Sequence, residues 1–216
     1  MDIAKWFIKN NYDKPRNSFD GNMKLQKLLY FSQLIHLAKY GDLLFEDQIN
    51  AFENGSVVEE VRQNYCYDNK SFVEQANQFT ENFTEDQLNT LKIVVDIFGD
   101  IDPMELSDLN HLHKGWKNAF SKSIDPFSSF YHKELSQISI DDIKKYDLER
   151  VSSMLKVYES NQKLDQKHEI VNGIKFFYDP NEIEMTQDII EKLKSFKGDE
   201  SCYTICNDSN MGLVIY

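Results

Sequence analysis

The chain has 216 residues, 41% hydrophobic and 28% charged, which is the balance of an ordinary globular protein and not of a disordered one. That length suffices for one full domain and a smaller one without disulfide or metal staples. The net charge of -12 argues against nonspecific nucleic-acid binding, because an acidic surface repels phosphate backbones.

Three cysteines, an odd number, suit a reducing compartment. The start MDIAKWFIKNN carries a charge at position two and no long apolar run, so neither a signal peptide nor a membrane span is expected, and a cytoplasmic protein is.

Asp2 to Asn11 predicts a short amphipathic helix through Ile3, Trp6 and Phe7. A loop rich in Pro15, Asn17 and Gly21 follows, with Asp20 or Asn22 as the expected cap of the next helix. From Met23 to Tyr40, apolar residues recur three and four apart through Leu25, Leu28, Phe31, Leu34, Ile35 and Ala38, and Gly41 supplies a left-handed stop. This is the expected buried central helix. Lys27 lies in its apolar arc, where either its stem covers core with the head in water or it pairs with a carboxylate. Gln33, His36 and Tyr40 fall on a more mixed face.

Leu43 to Phe52 lacks a helical period and is expected to be extended; Asn54-Gly55-Ser56 predicts a turn and Val57 to Tyr65 a helix. A short helix is expected near Phe72 to Phe79. Thr84 and Gln87 form a capping box opening a helix to Phe98. Asp102-Pro103-Met104-Glu105 opens another, and helix resumes over Trp116 to Phe120. Ser139 caps a short helix, Leu148 to Tyr158 forms a further stripe, and the polar run Glu159 to His168 reads as a linker.

Beyond it, Asn172-Gly173 between β-branched and aromatic flanks is a strong hairpin signal. Asp179 to Glu182 is expected to cap a helix through Phe196, and strands are expected over Cys202 to Cys206 and Met211 to Tyr216, joined by Asn207 to Asn210. The expected fold is therefore mainly α: a multi-helix domain round a buried central helix over residues 1–158, a linker over 159–168 and a small α+β unit over 169–216.

No catalytic constellation stands out. His111-x-His113 would point to opposite sides of a continuous helix, and Cys202-x-x-x-Cys206 has no second ligand pair, so no metal is expected. Nucleophile-elbow and phosphate-loop patterns do not occur, so neither an enzyme nor a cofactor is expected. Aromatic anchors suit a protein partner, and Phe52, Trp116, Tyr203 and Tyr216 are the expected contacts, together with Gln33, His36, Tyr40 and Asn54.

Two signatures carry a family resemblance. The first runs Lys24-Leu25-Gln26-Lys27-Leu28-Leu29-Tyr30, then His36-Leu37-Ala38, Gly41, Leu44-Phe45, Ile49-x-Ala51-Phe52, Gly55 and Val57-Val58-x-Glu60-Val61; the second is Leu106-Ser107-x-Leu109-Asn110-His111 with Trp116-x-x-Ala119. Together they resemble the SocA-like or Panacea antitoxin domain over about residues 1–146. The chain departs from that pattern at Asn54-Gly55-Ser56, where an aromatic residue and Gly-Pro are usual, and at Asn110, where Thr is usual. Lys24, Leu25, Gln26, Lys27, Leu28, Tyr30, Gly41, Gly55, Leu106, Asn110 and His111 are read chiefly as scaffold. The resemblance implies a bacterial or phage antitoxin that neutralises a protein toxin, encoded by an adjacent gene, through direct binding. Its alternatives are an adaptor delivering the toxin to a Clp-type protease and a transcription regulator. The tail beyond the shared domain is the expected region of toxin specificity.

Overall fold

The computed structural model describes residues 1–163, 167–198, 202–208 and 212–216. They form two compact units, Met1–Ser153 and Met154–Tyr216.

In the first unit the organising element is α2 (Phe19–Tyr40). Ser18 caps it, its hydroxyl accepting from Gly21 N at 3.0 Å, and Gly41 ends it at φ +88°. Every residue from Leu25 to Leu37 is buried, so α2 is enclosed on all sides and not merely amphipathic. Around it pack α1 (Asp2–Lys9), α3 (Glu59–Tyr67), α5 (Glu85–Phe98) and α6 (Pro103–His111), while α4 (Asn69–Gln78) lies on α1 and α3. Phe31 stacks on Phe98 of α5 with ring centroids 4.3 Å apart. The Thr84–Gln87 capping box and the Asp102–Pro103 start form as expected.

The cap of α2 is Ser18, not Asp20 or Asn22, because the helix starts a turn earlier than its apolar period. A larger correction concerns residues 49–58. They form a hairpin, β1 (Ile49–Phe52) and β2 (Gly55–Val58), in antiparallel register Phe52↔Gly55 to Ile49↔Val58. The turn is therefore Glu53-Asn54, and Val57 and Val58 belong to a strand. Their spacing with Val61 and Tyr65 imitates a helix, an ambiguity that short apolar runs carry.

The chain then wraps back through α7 (Lys114–Ser123) and α8 (Ile140–Tyr146), and Asp147 accepts from Lys114 N and Gly115 N at 2.7 Å each. Residues 136–138 add to the outer side of β1, with Ala51 N bonded to Ser136 O and Ile138 N to Ile49 O. α9 (Leu148–Lys163) carries the division between the units, so the expected linker begins inside a helix; its residues 164–166 lie outside the described residues.

The second unit holds a mixed sheet in the order β3-β4-β5-β6: β3 (Lys167–Val171), β4 (Ile174–Tyr178), β5 (Cys202–Asp208) and β6 (Gly212–Ile215). Asn172 and Gly173, both at positive φ, make the β3–β4 turn. β4 and β5 are parallel, with α10 (Gln187–Ser195) between them in the chain. Its core joins Val171, Phe176, Tyr178, Ile183, Leu193 and Ile205. Asp179 to Glu182 forms a turn instead of a cap, and Thr186 caps α10, accepting from Ile189 N. The expected Asn207 to Asn210 connection falls partly outside the described residues, at 209 and 210. The fold is mainly α with an α+β C-terminal unit.

Enclosure of α2 sets two outcomes. Leu28→Ala should cost about 2–5 kcal/mol of unfolding free energy in chemical denaturation, as cavity-forming core truncations do. His36→Ala should also destabilise, by about 1–3 kcal/mol, because it empties a buried site and removes the 2.8 Å hydrogen bond between His36 Nδ1 and the Thr90 hydroxyl, which keeps only its bond to Asp86 O.

Candidate partner interface

A two-stranded hairpin is marginal alone, and among the described residues no third strand pairs with the outward backbone groups of β2. Side chains bond them instead. Gln26 Oε1 accepts from Val58 N at 2.8 Å, Asn110 Oδ1 accepts from Ser56 N, and Lys27 Nζ donates to Ser56 O at 3.3 Å. Ser107 donates to Asn54 O at 3.0 Å. On the other strand, Trp116 Nε1 donates to Phe52 O at 3.0 Å and the Tyr131 hydroxyl to Ala51 O at 2.9 Å. The two signature segments thus meet as a clasp that fixes the hairpin on α2 and α6.

Gly55 is the point of closest approach. Its φ is +99°, and a Cβ there would stand 2.4 Å from Asn110 Oδ1 and 2.6 Å from Lys27 Cε, so only glycine fits. Lys27 itself is 1% exposed and has no carboxylate partner among the described residues. Neither sequence alternative for it holds, since the head is neither in water nor ion-paired. Burial lowers its pKa from 10.5 to about 7. Ser56 Oγ, Asn110 Nδ2 and His111 Nε2 nearby are buried without a hydrogen-bond partner among the described residues. His111 is pushed below its ordinary pKa by burial and then by the charge of Lys27.

The expected contacts fare differently. Gln33 and His36 are 1% and 3% exposed, which corrects their expected place on an accessible edge. Gln33 Oε1 accepts from Leu44 N at 3.1 Å and Phe45 N at 3.2 Å, and its amide donates to Phe45 O, so it holds the chain after α2. Burial lowers the pKa of His36, against the pull of Asp42. Tyr40 is half-buried and accepts from Asn89. Trp116 is buried, sandwiched by His111 and Phe120 at 4.1 and 5.1 Å between ring centroids.

Phe52 and Asn54 do reach the surface, and the Phe52 ring lies 5.5 Å from that of Tyr131. Tyr203 packs against Phe176 and Phe196 in the second unit, and Tyr216 is exposed there. Among the scaffold residues, Leu25, Leu28, Tyr30, Leu106 and Asn110 are fully buried and Lys24 half-buried. The Tyr30 hydroxyl lies 2.9 Å from His113 Nδ1, so the two histidines of the His111-x-His113 pair serve separate neighbours. Among the described residues no group of three or more His, Cys, Asp or Glu is placed to hold a metal ion, and no helix is long and apolar enough to cross a membrane.

What composition concealed are the exposed aromatics Phe127 and Phe130, on the loop after α7. A Ser-rich stretch beside Pro126 signals only a loop, and nothing local says which way its rings face.

The pKa of Lys27 fixes the sign of a pH effect. Between pH 7 and about 10 the unfolded chain keeps a proton on Lys27 that the folded chain has released, so stability should rise with pH through this window. The rise from this one group approaches about 1.4 kcal/mol per pH unit. Denaturation of Lys27→Met across the same window should show a flatter curve than the parent; an equal slope would mean that Lys27 stays charged in the fold.

No curated protein and no solved structure matches the chain significantly. One family model does: residues 25–117, from α2 through the hairpin and α6 into α7, match the antitoxin SocA-like, Panacea domain, and the remainder of the chain lies outside the match.

Proposed function

We propose that this protein is the antitoxin of a toxin–antitoxin pair, neutralising a protein toxin by direct binding and without catalysis of its own. The observation that carries the reading is the match of residues 25–117 to an antitoxin domain. The acidic surface supports it, since a net charge of -12 favours association with a basic protein partner over nucleic acid. The same charge disfavours the transcription-regulator alternative. Selectivity among toxins we assign to the tail, because antitoxins sharing one domain must differ somewhere outside it.

Co-expression tests the reading. The adjacent gene product should arrest growth when expressed alone and be harmless with this chain present, and the two should copurify. Absence of toxicity, or toxicity that persists in the presence of the chain, would overturn it. Removing residues 160–216 should weaken neutralisation at least tenfold in the inducer titration, and full neutralisation by the remainder would overturn the role given to the tail.

A further inference from the structure

Phe127 is 98% exposed and Phe130 63%. Single exposed apolar residues are common, but these two are held out by a loop that is already ordered. Asp125 Oδ1 accepts from Phe127 N, Ser128 N and the Ser128 hydroxyl at 2.7–2.9 Å. Asp125 N bonds Phe130 O and Ser129 N bonds Asp125 O, while Ile124 pairs with Tyr131 below. The rings therefore stand in water on a backbone with little freedom left to lose on binding, which is what lowers the cost of an interface anchor.

Beside them lies negative charge. The Phe130 ring sits 5.0 Å from that of His132, whose Nδ1 is 3.1 Å from Glu134. Glu134 borders a cleft of about 520 Å³ that is also lined by Asp47, Glu59, Glu60 and Lys133. The ammonium of Lys133 is committed to Glu59 at 2.7 Å and Asp47 faces the N-terminal ammonium at 3.5 Å, leaving Glu60 and Glu134 in excess. The Glu59 carboxylate is held ionised, near pKa 2, chiefly by Arg62.

We propose that Phe127 and Phe130, with the adjoining acidic cleft, are the docking surface for the toxin: a protein presenting an apolar pocket beside a Lys- or Arg-rich segment. The inference rests on the antitoxin reading. Charge selects this occupant, since a second copy of the chain would bring the same excess of negative charge to the contact and nucleic acid would be repelled.

The test is a calorimetric titration of the purified full chain with the purified adjacent gene product, at low and moderate salt. Phe127→Ser combined with Phe130→Ser should raise Kd about 30-fold or more while the melting temperature stays close to the parent's, because Phe127 is in water and Phe130, 63% exposed, gives up only its contact with the His132 ring. Glu60→Lys combined with Glu134→Lys should flatten the salt dependence of Kd. Unchanged affinity in the aromatic variant, with a parent that binds, overturns the surface and leaves the antitoxin reading standing. A parent that binds nothing overturns both. If sedimentation instead shows a dimer of the parent that the aromatic variant loses, the patch serves self-association and the inference is wrong.

Discussion

Enclosure of α2 is the constraint on which the first unit depends. A helix buried on every side has no water to offer its polar side chains, and a buried polar group left unpaired costs on the order of 1–3 kcal/mol. Gln26, Lys27, Ser32, Gln33 and His36 all lie within the enclosed stretch, and each finds a partner inside the protein. Four of those partners belong to other segments: β2 for Gln26 and Lys27, the chain at 44–45 for Gln33, and α5 for His36. Polar residues that look out of place on a core helix are thus the means by which it sets the position of its neighbours.

This changes what the signature residues mean. Gln26, Lys27, Gly55 and Asn110 all lie in one interior clasp, where strand edge, lysine stem and asparagine amide crowd the space that a side chain at Gly55 would need. They explain how residues 25–117 build a hub and hairpin. Under our proposals, recognition within the first unit falls to the rim, where Phe52, the Glu53-Asn54 turn and the rings of Phe127 and Phe130 with the acidic cleft reach the surface, and the tail adds selectivity. Phe127 and Phe130, like the tail, lie outside the matched segment.

The features legible in the sequence were those whose chemistry is local. Thr84 and Gln87 satisfy each other's backbone donors within four residues, Gly41 and the Asn172-Gly173 pair take left-handed backbone, and α2 shows as a run from Met23 to Tyr40 without Gly or Pro. The burial of Gln33 and His36 was not legible, because it depends on segments 11 and 54 residues away closing over them. The hairpin at 49–58 is illegible for a related reason. Two adjacent valines favour a strand, yet their strand edge is completed by Gln26 and Asn110, which no local pattern connects to them. Exposure of Phe127 and Phe130 is likewise a property of how a short loop closes on Asp125, not of composition.

The central claim, that buried polar side chains of α2 hold the surrounding segments in place, is tested most directly by native-state hydrogen exchange on single variants. Gln33→Leu should lose protection at the amides of Leu44 and Phe45 and keep it at Val58, while Gln26→Leu should do the reverse. Exchange that is unaltered in both variants, or raised equally across the whole unit, would contradict the account: the first would show that these bonds hold nothing, the second that they act only through global stability.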